Sequence, residues 1–228
     1  MIRGFDASRR GMAVEQTRSD VISNNVANVN TDGFKRSVAV SKPFGDMVQE
    51  RLGDFAPGEQ PAQVGPLGNG AVVDAVAVEK KDGELRFTDN PLDVALIGPG
   101  QFVYQGPNGT VGYTRNGAFT RDTNGRLTTA DGNPILVGGQ PVGTLADKLE
   151  IAADGTVLLD GKAAGKLDIQ GANGTTVLKT KTLESSTTDL AAEMTDLTIA
   201  MRSYQVNQRA LVMQDNTLAR AVSDIGKV

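Results

Sequence analysis

Two chemistries are absent from the residue types alone. The chain of 228 residues contains no cysteine and no histidine, so it offers neither thiolate nor imidazole to a zinc ion, and no Ser-His or Cys-His pair can form. What remains is carboxylate. Glu79, Glu84, Asp89 and Asp93 fall close together in the chain, but glycosidase-type chemistry needs two acids to converge with one pKa raised. These four are scattered over turn-forming sequence with no binding signature beside them. The runs Asp122-Thr-Asn-Gly125 and Asp154-Gly-Thr-Val-Leu-Leu-Asp160-Gly161 invite a calcium reading. Neither supplies the alternating oxygens and the bidentate glutamate at the twelfth position that an EF-hand loop uses, so both read as hairpin turns. Ile97-Gly-Pro-Gly100 is too short to cradle phosphate, and Pro99 removes an amide donor. The chemistry-bearing residues therefore predict no catalytic centre, no cofactor and no metal site.

Composition narrows the partners. A net charge of -4, with the two signs interspersed, argues against nucleic acid. No run approaches the roughly 18 apolar residues of a membrane span, and Met1-Ile-Arg-Gly-Phe-Asp6 lacks the apolar centre of a signal peptide. Taken alone these features point to the cytoplasm. With no tryptophan and 39% hydrophobic residues, the core must come from Val, Leu, Ile and Ala.

Glycine and proline divide the chain into elements. Neither occurs from Met12 to Asp32 or from Thr175 to Ile225, and both are dense elsewhere. The second gap carries a 3-4 spaced series: Leu190, Met194, Leu197, Met201, Tyr204, Gln208, Leu211, Asp215, Leu218, Val222 and Ile225. It predicts a helix over 188–225, about 55 Å long at 1.5 Å per residue. Thr187, Thr188 and Asp189 offer N-cap oxygens. A weaker series near the other end runs Phe5, Ser8, Met12, Glu15, Ser19, Ile22, Val26 and Val29, and this helix should close in the Asn-rich run from Asn24 to Gly33.

Stripes this narrow seek another helix rather than a broad core. Two lines flank the C-terminal stripe, Thr198-Gln205-Val212-Ala219 and Ile199-Val206-Met213, and widen its apolar face. The long helix either folds back on the rest of the chain or packs against helices of other molecules. Gln208 and Asp215, polar at successive positions of one register, favour the second, because such residues set register and partner number in coiled coils.

Between the helices the texture is β. Ala71–Val78, Gln101–Tyr104, Val111–Thr114, Ile135–Val137, Val157–Leu159 and Leu167–Ile169 are short apolar runs. They are separated by Asn-Gly or Asp-Gly pairs at 108, 116, 124, 131, 154, 160 and 173, which favour hairpin turns. The stretch from Gly53 to Gly70 is rich in Gly and Pro and is expected to lack regular structure. The predicted architecture is mixed α and β. Terminal helices in 1–35 and 186–228 pair as a coiled-coil-like stalk, 36–70 forms a connector or extended arm, and 71–185 forms an antiparallel, barrel-like β body.

Three ordered segments carry a family resemblance. Gly11-Met-Ala-Val-Glu-Gln16 with Asp20-Val-Ile-Ser-Asn-Asn-Val-Ala-Asn-Val-Asn-Thr-Asp-Gly-Phe-Lys-Arg36 resembles the N-terminal signature of bacterial flagellar rod and hook proteins. Within it Asn24, Asn25, Asn28, Thr31, Gly33 and Phe34 carry the match. Pro91-Leu-Asp-Val-Ala-Leu-Ile-Gly98, Tyr113-Thr-Arg-Asn-Gly-Ala-Phe119 and Asp122-Thr-Asn-Gly-Arg-Leu127 are similar to the central β segment. Leu183-Glu-Ser-Ser, Asp189-Leu-Ala-Ala-Glu-Met194 and Met201-Arg-Ser-Tyr-Gln-Val-Asn207 are similar to the C-terminal helix.

The resemblance implies an axial structural protein of the basal body, without catalysis, whose terminal helices pack into a tube and whose β body forms its outer layer. It also implies self-association, contact with other rod and hook proteins, and uncleaved passage through the flagellar type III export apparatus to the periplasm. That location replaces the cytoplasmic one. The rivals are a hook-like or accessory basal-body protein, a secreted β-rich binding module with a helical oligomerisation tail, and a carboxylate hydrolase.

Overall fold

The structure, a computed structural model, describes residues 3–43, 47–50, 63–67, 70–142, 148–172 and 176–225. The chain divides into two compact units. A helical unit comprises Met1–Val26, Ser37–Val78 and Leu190–Val228, and a β unit comprises Ala27–Arg36 and Glu79–Asp189.

The helical unit is built on α1 (Arg3–Ala27) and α2 (Leu190–Ile225). In α2 the hydroxyls of Thr195, Thr198 and Thr217 donate to the carbonyls of Ala191, Met194 and Met213, one turn back, which accommodates a polar β-branched side chain within a helix. The rest of the unit is ribbon. Strand β1 (Ser37–Pro43) runs antiparallel to β4 (Ala71–Val78), from Ser37 opposite Val78 to Pro43 opposite Ala71, with a bulge between Val40 and Ser41. Strands β2 (Met47–Glu50) and β3 (Gln63–Leu67) pair in the same sense.

Here the sequence expectation fails in part, because Gln63–Leu67 lies within the stretch expected to be irregular. A two-stranded ladder needs only backbone donors and acceptors. Pro66, opposite Val48, is tolerated because every strand of such a ribbon is an edge strand.

The β unit opens with the turn that ends α1. Thr31 donates its backbone N–H to the Asn28 carbonyl (3.1 Å) and its hydroxyl to Asn28 Oδ1 (3.2 Å). Four strands follow: β5 (Leu85–Phe87), β6 (Val94–Ile97), β7 (Gln101–Gln105) and β8 (Val111–Thr114). Strand β7 pairs with β8 and with Ile169–Gln170, β6 with Val177–Thr180, and β5 with Thr182–Glu184, all antiparallel. Leu149–Ile151, Thr156–Leu159 and Lys162–Lys166 form a three-stranded meander.

The body expected to be barrel-like is not a closed barrel: among the described residues its strands form separate two- and three-stranded sheets. Strands this short, broken by turns and a bulge between Val157 and Leu158, do not sustain the continuous stagger that closure requires. Their apolar faces converge instead on a core of Val94, Leu96, Phe102, Phe119, Leu127, Ile135, Val137, Leu149, Ile151, Val157 and Leu167. At its centre Phe102 and Phe119 meet edge-on, with ring centroids 5.0 Å apart.

The turn dipeptides meet the expectation of two-residue hairpin turns in part: Gly109, Gly125, Gly132 and Gly155 have positive φ within longer loops, and Asp160-Gly161 alone among the described pairs joins two strands directly. At Asp160-Gly161 both residues have positive φ, 48° and 79°, as a type I′ hairpin requires. Gly117 instead has no positive φ; a methyl there would overlap the Val94 carbonyl, so glycine is needed for close backbone approach. The Asn173-Gly174 pair lies outside the described residues.

Candidate functional site

Two of the four candidate acids are taken up by structural partners. Asp93 is buried and accepts hydrogen bonds from Thr88 Oγ1 and Asn90 Nδ2, both 2.8 Å, while Glu79 pairs with Arg36 at 3.1 Å. Asp122 and Asp154 cap their own turns. Backbone N–H groups of Arg126 and Asn124 hold the Asp122 carboxyl below its ordinary value, and the Thr156 N–H does the same for Asp154. Any stability these exposed acids add is therefore present above the unfolded-state pKa and fades as pH falls through the lowered one. Among the described residues no three acids are grouped to hold a metal, and no helix is long and apolar enough to cross a membrane.

The chain's other assets are a helix face and a buried charge cluster. On α2 the predicted stripe is largely uncovered. Leu190, Met194, Met201, Tyr204, Leu218 and Val222 are exposed, Met201 at 51%. Leu197 and Leu211 are half-buried. Ile225 lies in the helix, its side chain outside the described set. The flanking Ile199, Val206, Val212 and Met213 are exposed as well, and Val206, Ala210, Met213 and Leu218 line an apolar groove of about 620 Å³. On α1, Ile22 is buried and Met12 and Val26 are half-buried; Val29, also half-buried, follows the helix.

The edge of α2 through Glu193, Ala200, Asn207 and Gln214 meets α1, and Met201 and Tyr204 border it, lining a cavity with Glu15, Gln16 and Ser19 of α1. A methyl on Gly11 would come within 2.9 Å of the Asn207 amide nitrogen, and one on Gly4 would press on the Gln214 amide. Asn25 Nδ2 donates to Glu193 Oε2 at 3.3 Å, both residues being fully buried. Asn25 also donates to the Ser37 carbonyl (2.8 Å) and accepts from its N–H (2.9 Å), which fixes where β1 begins.

The sequence reading did not single out the buried cluster in the β unit. Glu184, 1% exposed at its side chain, accepts from Lys35 Nζ, from Arg115 Nε at 2.8 Å and from the Gly83 N–H at 2.7 Å. Arg115 spends its remaining donors on the carbonyls of Gly100 (2.7 Å) and Leu96 (2.9 Å) and on Asp82 (3.2 Å). Lys35, Arg115 and Glu184 come one each from the three signature segments. That was the available signal: a charge in each segment, in a protein whose fold must bury those segments together.

The other signature residues serve the same junction. Gly33, at φ 72°, donates its N–H to the Glu184 carbonyl (2.6 Å). Thr187 N–H donates to the Phe34 carbonyl (3.1 Å), and Thr187 Oγ1 accepts from Arg36 N–H (2.8 Å). Asn28 holds the turn with Thr31, and Asn24 is exposed on the helix surface. A Gly33→Ala change adds a methyl that overlaps the Arg115 carbonyl in a left-handed conformation. It is expected to destabilise the β unit by about 3 kcal/mol, read as a lower urea midpoint.

Exposed apolar helix faces, together with a charge cluster that ties three chain segments to one another, are features of a structural, assembly-forming protein. Comparison with known proteins makes the class specific. Residues 5–35 match the family described as flagella basal body rod protein, 95–159 the D1 domain of the flagellar hook protein FlgE/F/G, and 179–224 the C-terminal region of flagellar basal body rod FlgEFG proteins. The flagellar basal-body rod protein FlgG of Buchnera aphidicola from Schizaphis graminum is 30% identical, covering 96% of this chain and 98% of its own. FlgG of Bacillus subtilis is 31% identical over 98% and 99% of the two chains. The flagellar hook-basal body complex protein FlhO of the same organism is 25% identical over the full length of both. The chain belongs to the flagellar basal-body rod protein family.

Proposed function

We propose that this protein is a structural subunit of the bacterial flagellar basal-body rod that self-assembles through its terminal helices into the axial tube carrying torque from motor to hook. The observation that carries the reading is the apolar stripe of α2, from Leu190 to Val222, left exposed in the single chain. Burying such side chains contributes roughly 1.5–3 kcal/mol each, which is a driving force for helix packing between copies. In this reading 1–35 and 186–228 form the axial core, with α1 and α2 pairing in coiled-coil fashion. Residues 36–70 form an arm and 71–185 the outer body. Partners are further copies and other rod and hook axial proteins. The chain reaches the periplasm through the flagellar type III export apparatus without a cleaved signal peptide, and it has no catalytic role.

The full-length likeness to a hook-basal body complex protein favours an accessory basal-body protein as the second reading. Electron microscopy of basal bodies from cells lacking the protein separates the two. Structures truncated within the rod support the first, and complete hook–basal bodies overturn it.

Limited trypsin digestion of the monomer gives a further expected result. Arg202, Arg209 and Arg220 lie exposed on α2, and a helix with an uncovered stripe opens readily. Cleavage is expected to remove residues after about 185 and before about 35 while the β unit's Glu79–Glu184 portion stays intact. Equal protection of helices and β unit would argue that the stripe is satisfied within the chain.

A further inference from the structure

We propose that the α1–α2 seam is a register key: small and polar side chains that fix how the two helices are staggered, and so the axial level at which the exposed residues of α2 are offered to neighbours. Gly4, Gly11, Arg18 and Asn25 recur every seven residues along α1, and Glu193, Ala200, Asn207 and Gln214 every seven along α2. The three contacts described above, Gly4 with Gln214, Gly11 with Asn207 and Asn25 with Glu193, obey a single antiparallel register. Each step along α1 is matched by an equal step back along α2. Ala200, 1% exposed, falls between them in the same series.

The seam is built for discrimination rather than strength. Glu15 Oε2 and Gln214 Oε1 are buried without a hydrogen-bond partner, at a cost of about 1–3 kcal/mol each. No leucine or valine occupies either heptad series. Polar residues at such positions lower stability and select one register, because a slip strands them. Sliding α1 by one heptad, about 10 Å, brings Asn25 onto Ala200 and takes its amide from the buried Glu193 carboxylate. It also sets Gly11 against Gln214 and leaves Asn207 facing Arg18. The apolar stripe through Met194 and Met201 sits one residue around the helix from Glu193 and Ala200. Met201 and Tyr204 line a cavity with Glu15, Gln16 and Ser19 of α1, so the stripe borders the seam, and seating the key sets the axial level at which its exposed residues are offered to neighbours.

The key is a property of the single chain; only the use made of the exposed stripe rests on the rod-subunit reading. Because the natural chain has no cysteine, pairs can be introduced cleanly into the full-length protein and joined with a short bis-maleimide. The in-register pair is Ser8→Cys with Ala210→Cys, and the pair matching the one-heptad slip above is Ser8→Cys with Thr217→Cys. The monomer is expected to cross-link the first at least tenfold more than the second. Adding Asn207→Leu and Gln214→Leu is expected to bring that ratio near one and to abolish flagella in cells. Glu193→Leu gives an independent variant, and circular dichroism verifies that each stays helical.

A retained tenfold preference in both helical variants overturns the key, as does no preference in the parent chain. A lost preference with normal flagella overturns its role in presenting the stripe. None of these outcomes depends on the deletion phenotype, by which the rod reading itself stands or falls.

Discussion

A Met201→Asp protein is expected to fold and yet to build no rod. Met201 is 51% exposed in the single chain, so the monomer loses little by the change; the difference in helix propensity is about 0.5 kcal/mol. In the proposed tube the same position is buried against a neighbour's helix. Losing the methionine's burial costs about 2 kcal/mol per contact, near a thirtyfold loss of affinity, and desolvating an unpaired carboxylate adds more. Because every subunit repeats the defect, growth should stop rather than slow. The expected result is an unchanged thermal transition for the purified monomer together with non-motile cells lacking hooks and filaments. Normal flagella would sink the assembly reading of α2, and a large fall in monomer stability would place Met201 in the fold instead.

The helices were legible in the sequence because their signals are local. The 3-4 spacing predicts a helix over 188–225, and Leu190–Ile225 is helical. The Asn-rich run closes α1, which ends at Ala27. The strand at Ala71–Val78 and the Asn-Gly and Asp-Gly turns were equally readable, since β-branched alternation and positive-φ glycine act over a few residues. What pairs with what was not. The partner of Ala71–Val78 is Ser37–Pro43, across a gap that local propensity cannot see.

The seam gives little sequence signal for a related reason. Hydrophobic periodicity finds the most apolar stripe, and on α2 that stripe is largely exposed, with Leu197 and Leu211 half-buried. The inward face, through Glu193, Ala200, Asn207 and Gln214, is small and polar and gives almost no hydropathy signal. The charge cluster has no local signal either: only the shared membership of Lys35, Arg115 and Glu184 in the three signature segments points to it.

That cluster supplies the largest stability effect. In an Arg115→Met protein Glu184 keeps Lys35 and the Gly83 N–H but loses its guanidinium, while the carbonyls of Gly100 and Leu96 lose their donors. Removing one partner of a buried ion pair costs up to about 3–5 kcal/mol, and here the Glu184 carboxylate is left with Lys35 as its one compensating cation. For a unit of this size that is on the order of 10–20 °C in Tm. The same argument separates cause from bulk. The triple change Lys35→Met, Arg115→Met, Glu184→Leu removes the charges together and should recover part of the loss, since replacing a whole buried ionic group by apolar side chains is often neutral. Recovery should be incomplete, because the two orphaned carbonyls still cost about 1–3 kcal/mol each. Calorimetry on the two proteins decides it. A triple variant less stable than Arg115→Met would mean that the cluster contributes more than compensated charge. A single variant within about 1 kcal/mol of the parent would mean that water or Asp82 takes over the guanidinium's work, and that the three signature segments are joined by their backbone bonds instead.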